Sequence, residues 1–454
     1  MKRGVWIGLW FSAVRWLPAL AALGWVAASA AQDAPPAAQS VKLPNGLRVL
    51  LAPDSMAAAV DVAVCYRAGT LKELAGTTGI THLMERWMFR GSPHYGPGEH
   101  RRLVRAEGGI ANTFTTPDAS CFYETVPAEA LELALKLEAD RMGTLALTAE
   151  GLERERRAVH EETRQLARES PLGRGLLLLY ATVFPGHPYG WPVTGRESDL
   201  DRITLAECEA FQKANYAPDN AVLTLTGRFD PVQALALVRR HFGALASHAA
   251  AAKPPALPEQ TSERRASARI EGEIPVLFVG WRAPGGGDRS SVALDVLSRL
   301  LATGSQSRLR QELLRSPAAC LAVEGGFDAR REASLLYATA IVRPDADSAD
   351  VENRLLAESH KLAFLAADGP EVDRAKRETE LALMMSWETV RARGQSLGIA
   401  AAAFGDSRLL EEQLRSLREL TPDDIQRIAA EVLKPERRSV VWLVPGAAGK
   451  GAAR

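Results

Sequence analysis

The sequence predicts an α+β protein built twice, and three observations predict it. The stretch 204–227 (TLAECEAFQKANYAPDNAVLTLTG) and the stretch 421–446 (TPDDIQRIAAEVLKPERRSVVWLVPG) follow one plan: a threonine-led helix, a proline-containing turn, and an apolar strand ending at glycine. The stretches 60–69 and 275–285 also correspond, ending in Cys-Tyr-Arg-Ala-Gly and Gly-Trp-Arg-Ala-Pro-Gly, and each is a strand that feeds a loop and then a helix. Between the copies lies 244–260, rich in Ala and Pro and without clear periodicity, which reads as a linker. A duplication with a period of about two hundred residues accounts for all three, giving two similar α+β halves. At 454 residues the chain is long enough for two to four separate cores.

The elements follow in order. Met1-Lys2-Arg3 is a basic start, 16–27 is apolar, and the small residues over 28–31 offer cleavage sites. Arg15 interrupts the apolar run and leaves too few residues after it to span a bilayer. Residues 1–31 therefore read as a cleaved export signal, with an uncleaved anchor as the alternative, and a mature protein that is periplasmic or secreted. A Pro/Ala-rich tether spans 32–40, and the first half runs over 41–243. The Asn45-Gly46 turn enters a strand over 47–51, and a second strand covers 59–66. Helices follow at 78–89 and 98–107, then extended segments at 110–115 and 120–126. Helices are expected at 127–142, 148–170, 172–183 and 204–214, with a strand at 220–227 and a helix at 230–242. The second half occupies 261–446, before a tail at 447–454.

Lys plus Arg and Asp plus Glu both total 55, dispersed along amphipathic segments, so nothing in the charge points to a nucleic-acid partner. Cys65, Cys121, Cys208 and Cys320 form no C-x-x-C pair and read as buried free thiols, though an oxidising compartment could join Cys65 and Cys121, both in strand-like runs.

The helix at 78–89 carries the chemistry-bearing feature, Thr81-His82-Leu83-Met84-Glu85-Arg86. The pattern H-x-x-E-H marks the inverzincins: two histidines four apart share a helix face and hold zinc, and the glutamate polarises the attacking water. His82 and Glu85 are in place, but position 86 is a guanidinium, which stays protonated and has no lone pair to give a metal.

With that motif, the chain resembles the pitrilysin/insulinase family, in the branch of mitochondrial processing peptidase and its bacterial relatives. The family pattern continues, some seventy-five residues on, with a glutamate that completes the zinc site. Glu162 falls at that position, with Glu155 two turns earlier on the same helix face as a supporting carboxylate. Gly108-Gly109-Ile110-Ala111-Asn112-Thr113-Phe114-Thr115 resembles the family's substrate-binding edge strand, with Asn112 at its marked position. Arg330 or Arg331 with Tyr337 resembles the pair that holds substrate backbone, and an ordinary strand surface explains these residues as well. His187-Pro188-Tyr189-Gly190 and Gly304-Ser305-Gln306-Ser307-Arg308-Leu309 also match. The resemblance implies a clam-like shell of two tandem halves, each a mixed or antiparallel sheet layered with helices, with peptide adding to a sheet edge.

The metal positions are thus His82 and Glu162, with Arg86 where the remaining ligand belongs, and Glu85 is the catalytic base position. The expectation is no zinc, Arg86 standing in electrostatically by pairing with Glu85 or Glu162. Three readings follow from the resemblance. One is an exported, non-catalytic subunit that grips a peptide or an unfolded segment beside an active homologous peptidase. The others are an active zinc metalloendopeptidase with an atypical site, in which His94 or His100 swings in as the ligand, and a standalone peptide-binding scaffold.

Overall fold

The protein is described by a computed structural model over residues 38–169, 171–247, 255–315 and 317–446. The export segment, most of the tether, the middle of the linker and the tail lie outside the described residues. The Asn45-Gly46 turn joins β1 (Gln39–Lys42), which begins within the stretch read as tether, to β2 (Arg48–Pro53). The first half continues with β3 (Ala59–Tyr66), α1 (Ile80–Trp87), α2 (Glu99–Ala106), β4 (Ile110–Thr115), β5 (Ser120–Pro127), α3 (Leu131–Thr144), α4 (Ala149–Glu169) and α5 (Pro171–Val183). It closes with α6 (Glu197–Leu200), α7 (Leu205–Asn215), β6 (Ala221–Gly227) and α8 (Pro231–Phe242). The second half holds β7 (Arg264–Ile270), β8 (Val276–Pro284), α9 (Arg289–Ser298), α10 (Arg308–Leu314), β9 (Cys320–Asp328), β10 (Ala333–Val342) and α11 (Ser348–Phe364). Then come α12 (Gly369–Met385), α13 (Val390–Ile399), α14 (Leu409–Glu419), α15 (Pro422–Val432) and β11 (Arg438–Pro445).

The duplication is present strand by strand. The first sheet has the order β1-β2-β6-β3-β5-β4 and the second β7-β11-β8-β10-β9. In the first, β2 and β6 run parallel; in the second, β7 and β11 do; every other pairing is antiparallel. The capping boxes at Thr204 and Thr421 start equivalent helices, each leading to the strand that enters the middle of its sheet.

Each sheet buries one face under helices of its own half. Val49, Val62, Val64 and Phe122 pack with Leu83, Leu135 and Val238, and Leu277, Val279 and Trp281 pack with Leu294, Leu355 and Ile425. The opposite faces are covered by exchange. Leu179 and Val183 of α5 pack on Phe278, Leu335, Val441 and Leu443 of the second sheet, while Leu397 of α13 packs on Leu50, Cys65 and Val222 of the first. Both visiting helices approach through glycine: a Cβ at Gly175 would lie 2.2 Å from Phe278, and one at Gly398 would lie 2.6 Å from Cys65 Sγ.

Cys65 and Cys121, opposite each other on β3 and β5, form a disulfide beneath α13. The expectation of free thiols there is corrected: the antiparallel register sets the two side chains side by side, with Cα atoms 4.1 Å apart. Cys208 and Cys320 are free and buried.

Asp61 of β3 faces the same interface, fully buried, accepting a hydrogen bond from Thr125 Oγ1 at 2.7 Å while Arg391 of α13 donates to that hydroxyl at 3.1 Å. Burial lifts its pKa to about 7 against the pull of Thr125 and Arg391. A folded pKa above the unfolded one stabilises the fold at low pH, and that stabilisation is lost as pH rises through about 7. Asp61→Asn is expected to shrink the drop in urea midpoint between pH 5 and pH 8; an unchanged drop would place the titration elsewhere.

Candidate active site

The amphipathic pattern of α1 fixes what it presents. Ile80, Leu83, Met84 and Trp87 go into the core, and Trp87 Nε1 donates to the Ala146 carbonyl at 3.2 Å. The buried Glu73 carboxylate accepts from the backbone N–H groups of Gly79 and Thr81 at 3.0 and 3.1 Å, satisfying donors that a helix start leaves open. His82, Glu85 and Arg86 are left to meet α4, which buries Leu152 and Val159 and turns Glu155 and Glu162 towards α1.

His82 Nε2 lies 3.1 Å from Glu162 Oε2, and Arg86 Nη1 donates to that same oxygen at 3.1 Å. Arg86 Nε donates to Glu155 Oε2 at 3.2 Å, so one guanidinium ties both α4 carboxylates together. Glu155 is fully buried and also receives Arg90, whose Nε is 2.5 Å from Oε1. Glu85 Oε2 stands 3.4 Å from His82 Nδ1, an ion-pair distance without hydrogen-bond alignment. Arg86 therefore pairs with Glu162, as expected, and with Glu155 in place of Glu85.

Burial works against a charge on His82, but Glu162 and Glu85 outweigh it and raise the imidazole pKa to about 9. Burial likewise raises Glu162, and His82 and Arg86 more than cancel it, holding that carboxyl below its usual range. At neutral pH the centre is a carboxylate clamped between two cations.

The donor set does not fit zinc. His82 and Glu162 supply two ligand atoms where a catalytic site takes three, and position 86 supplies a cation. His94 pairs with Asp140 at 2.5 Å, and His160, which a helical turn aims away from Glu162, reaches Asp201 at 2.9 Å. His100 lies with Glu124 and Glu138, the one metal-capable grouping of three among the described residues. There Arg141 already pairs with Glu138, and burial pushes the Glu138 carboxyl up to about 8 and the His100 ring down to about 3. The result is a neutral ring beside two buried carboxyl groups that share the Arg141 guanidinium, a self-contained core cluster.

Asn112 sits mid-strand on β4, which has a partner on one side only and forms the edge of the first sheet beside α1. Arg330, expected to hold substrate backbone, lies in the seam between the two halves. Its side chain is buried, with Nε donating to Asp328 Oδ2 at 2.7 Å, Nη1 donating to the Tyr189 carbonyl at 2.9 Å, and the Tyr180 ring 4.2 Å from the guanidinium carbon. The Nη1 bond joins the second half to the first, and the guanidinium is held inside that seam. Tyr337 of β10 packs on the face that α5 covers. Arg90 is absent from the sequence reading: it lies in the turn after α1, and its pairing with Glu155 depends on how α4 packs.

A helix bearing H-x-x-E facing a second helix with a glutamate at the completing position, on a duplicated α+β scaffold, defines an inverzincin-type metallopeptidase framework with one ligand replaced. The insulinase (peptidase family M16) model matches residues 48–195, and the peptidase M16 inactive domain model matches 202–379. The chain belongs to this family, the pitrilysin/insulinase metallopeptidases. It is 27% identical over 427 residues to zinc protease PqqE of Helicobacter pylori, covering 91% of this chain and 94% of that protein. The mitochondrial-processing peptidase subunit beta of Lentinula edodes is 24% identical over 419 residues, 86% of each chain. The crystal structure of a protease from Helicobacter pylori superposes with a TM-score of 0.84 at 26% identity, covering 90% of this chain and 99% of that one.

Proposed function

We propose that this chain is a metal-free, non-catalytic member of the family that grips an extended peptide or unfolded segment and works beside an active homologous peptidase. The observation that carries the proposal is Arg86: it occupies a ligand position and bridges Glu162 and Glu155, so the charge that zinc would supply is already present. The free edge of β4 offers unpaired backbone groups to a peptide strand, a mode of binding that needs no metal. One relative is named as a subunit, in keeping with action in a pair. Export is part of the proposal, supported by the basic and apolar N-terminal segment and by the Cys65–Cys121 disulfide, a bond that persists in oxidising compartments.

The test is to incubate the mature protein with a fluorescent unstructured peptide and read binding and cleavage together. Binding with an intact peptide, indifferent to chelator and to Glu85→Gln, is the expected outcome. Turnover abolished by both would establish an active metallopeptidase instead.

A further inference from the structure

Resting on the reading of β4 as a peptide-binding edge, we infer that the peptide taken there is acidic, with carboxylates at every second position. Two helices, α1 and α2, adjoin β4, and arginines lie on or just after both. Arg86 stands in the last turn of α1, Arg90 lies three residues beyond its end, and Arg101 and Arg105 lie one turn apart on α2. Glu155 and Glu162 answer Arg86 and Arg90.

Arg101 has no such answer. It makes no ion pair among the described residues, its Nε is buried without a hydrogen-bond partner, and its guanidinium carbon lies over the Phe89 ring, 3.9 Å from the centroid. Apart from its burial, what acts on its charge is the repulsion of Arg141, Arg105, Arg90 and Arg86. Arg141 is itself engaged by Glu138. The side of the edge strand facing α1 and α2 thus carries an unbalanced positive field, and such fields select oppositely charged partners.

The strand geometry sets the spacing. Along β4, Ala111 packs towards the helices and Phe114 towards the opposite face, so side chains alternate between the arginine side and the other. A peptide strand added alongside obeys the same alternation, and only its alternate residues meet the guanidinium groups.

The experiment uses the mature full chain and three extended peptides of one length that differ only at alternate positions, which carry Glu, Gln or Lys. Affinity is read by fluorescence anisotropy at low salt and at high salt. The Glu peptide should bind about tenfold more tightly than the Gln peptide at low salt, with the Lys peptide weakest, and the order should collapse once screening shortens the Debye length. Arg101→Gln combined with Arg105→Gln should cut the Glu-over-Gln ratio several-fold, and the salt series tests the point if that variant fails to fold. Equal binding of all three, lost when the peptide amides are N-methylated, overturns the charge inference and leaves the edge-strand reading standing. Tightest binding by the Lys peptide also overturns it. Binding of none overturns both.

Discussion

Arg86→Ala is expected to leave the protein without zinc, whereas Arg86→His should take zinc content from essentially none to about one ion per chain. Position 86 is one helical turn beyond His82, and the present side chain already reaches to 3.1 Å of Glu162 Oε2. An imidazole there adds the missing neutral donor and removes a cation, and Glu155 keeps Arg90 as its partner, so the surrounding carboxylates are not stranded. Zinc affinity should rise at least about a hundredfold, roughly 3 kcal/mol, and added zinc should raise the melting temperature of Arg86→His only. Peptide cleavage that Glu85→Gln removes would show that the rest of the centre is still competent. An Arg86→His protein that takes up no more zinc than the parent would mean that position 86 is not what keeps the metal away.

Arg330→Met should cost about 2–4 kcal/mol of stability without weakening peptide binding by the folded protein. The buried guanidinium holds Asp328 of the second half and the Tyr189 carbonyl of the first, against the rings of Tyr180 and Tyr189. Methionine fills similar space and leaves Asp328 with Tyr180 and the Tyr189 carbonyl without that donor. The same seam contains Tyr189 Oη donating to Asp118 Oδ1 at 2.6 Å and accepting from the Glu332 N–H at 3.1 Å, which limits the loss to one part of a larger network. Denaturant midpoints and peptide anisotropy measured on one preparation separate the two effects. A stable variant with weakened peptide affinity would return Arg330 to the substrate.

The contrast between Arg86 and Arg330 shows what the sequence could carry. β3, β4 and β5 were legible almost to the residue because alternation and turn residues are local, and the helix at 78–89 was legible because its apolar face recurs at helical spacing. The pairing of Glu162 with Arg86 was within reach only through the family resemblance, which places the two positions at one site although they are 76 residues apart. What escaped depends on residues far apart in the chain. The exchange of α5 and α13 between sheets is a matter of which apolar face finds which partner, and neither Gly175 nor Gly398 announces a neighbour in sequence. The Cys65–Cys121 bond needs the β3–β5 register, which sequence spacing leaves open. Arg330 carried a plausible spacing to Tyr337, but its burial is set by α5, about 150 residues earlier in the chain.

Zinc stoichiometry shows whether the Arg86 guanidinium has taken the place of a metal. The mature protein, purified without a histidine tag and dialysed against trace zinc, should contain far less than about one zinc per chain by mass spectrometry. A value of about one, lost on Glu162→Gln, would contradict the claim and show that the Glu162 centre holds its metal in spite of Arg86.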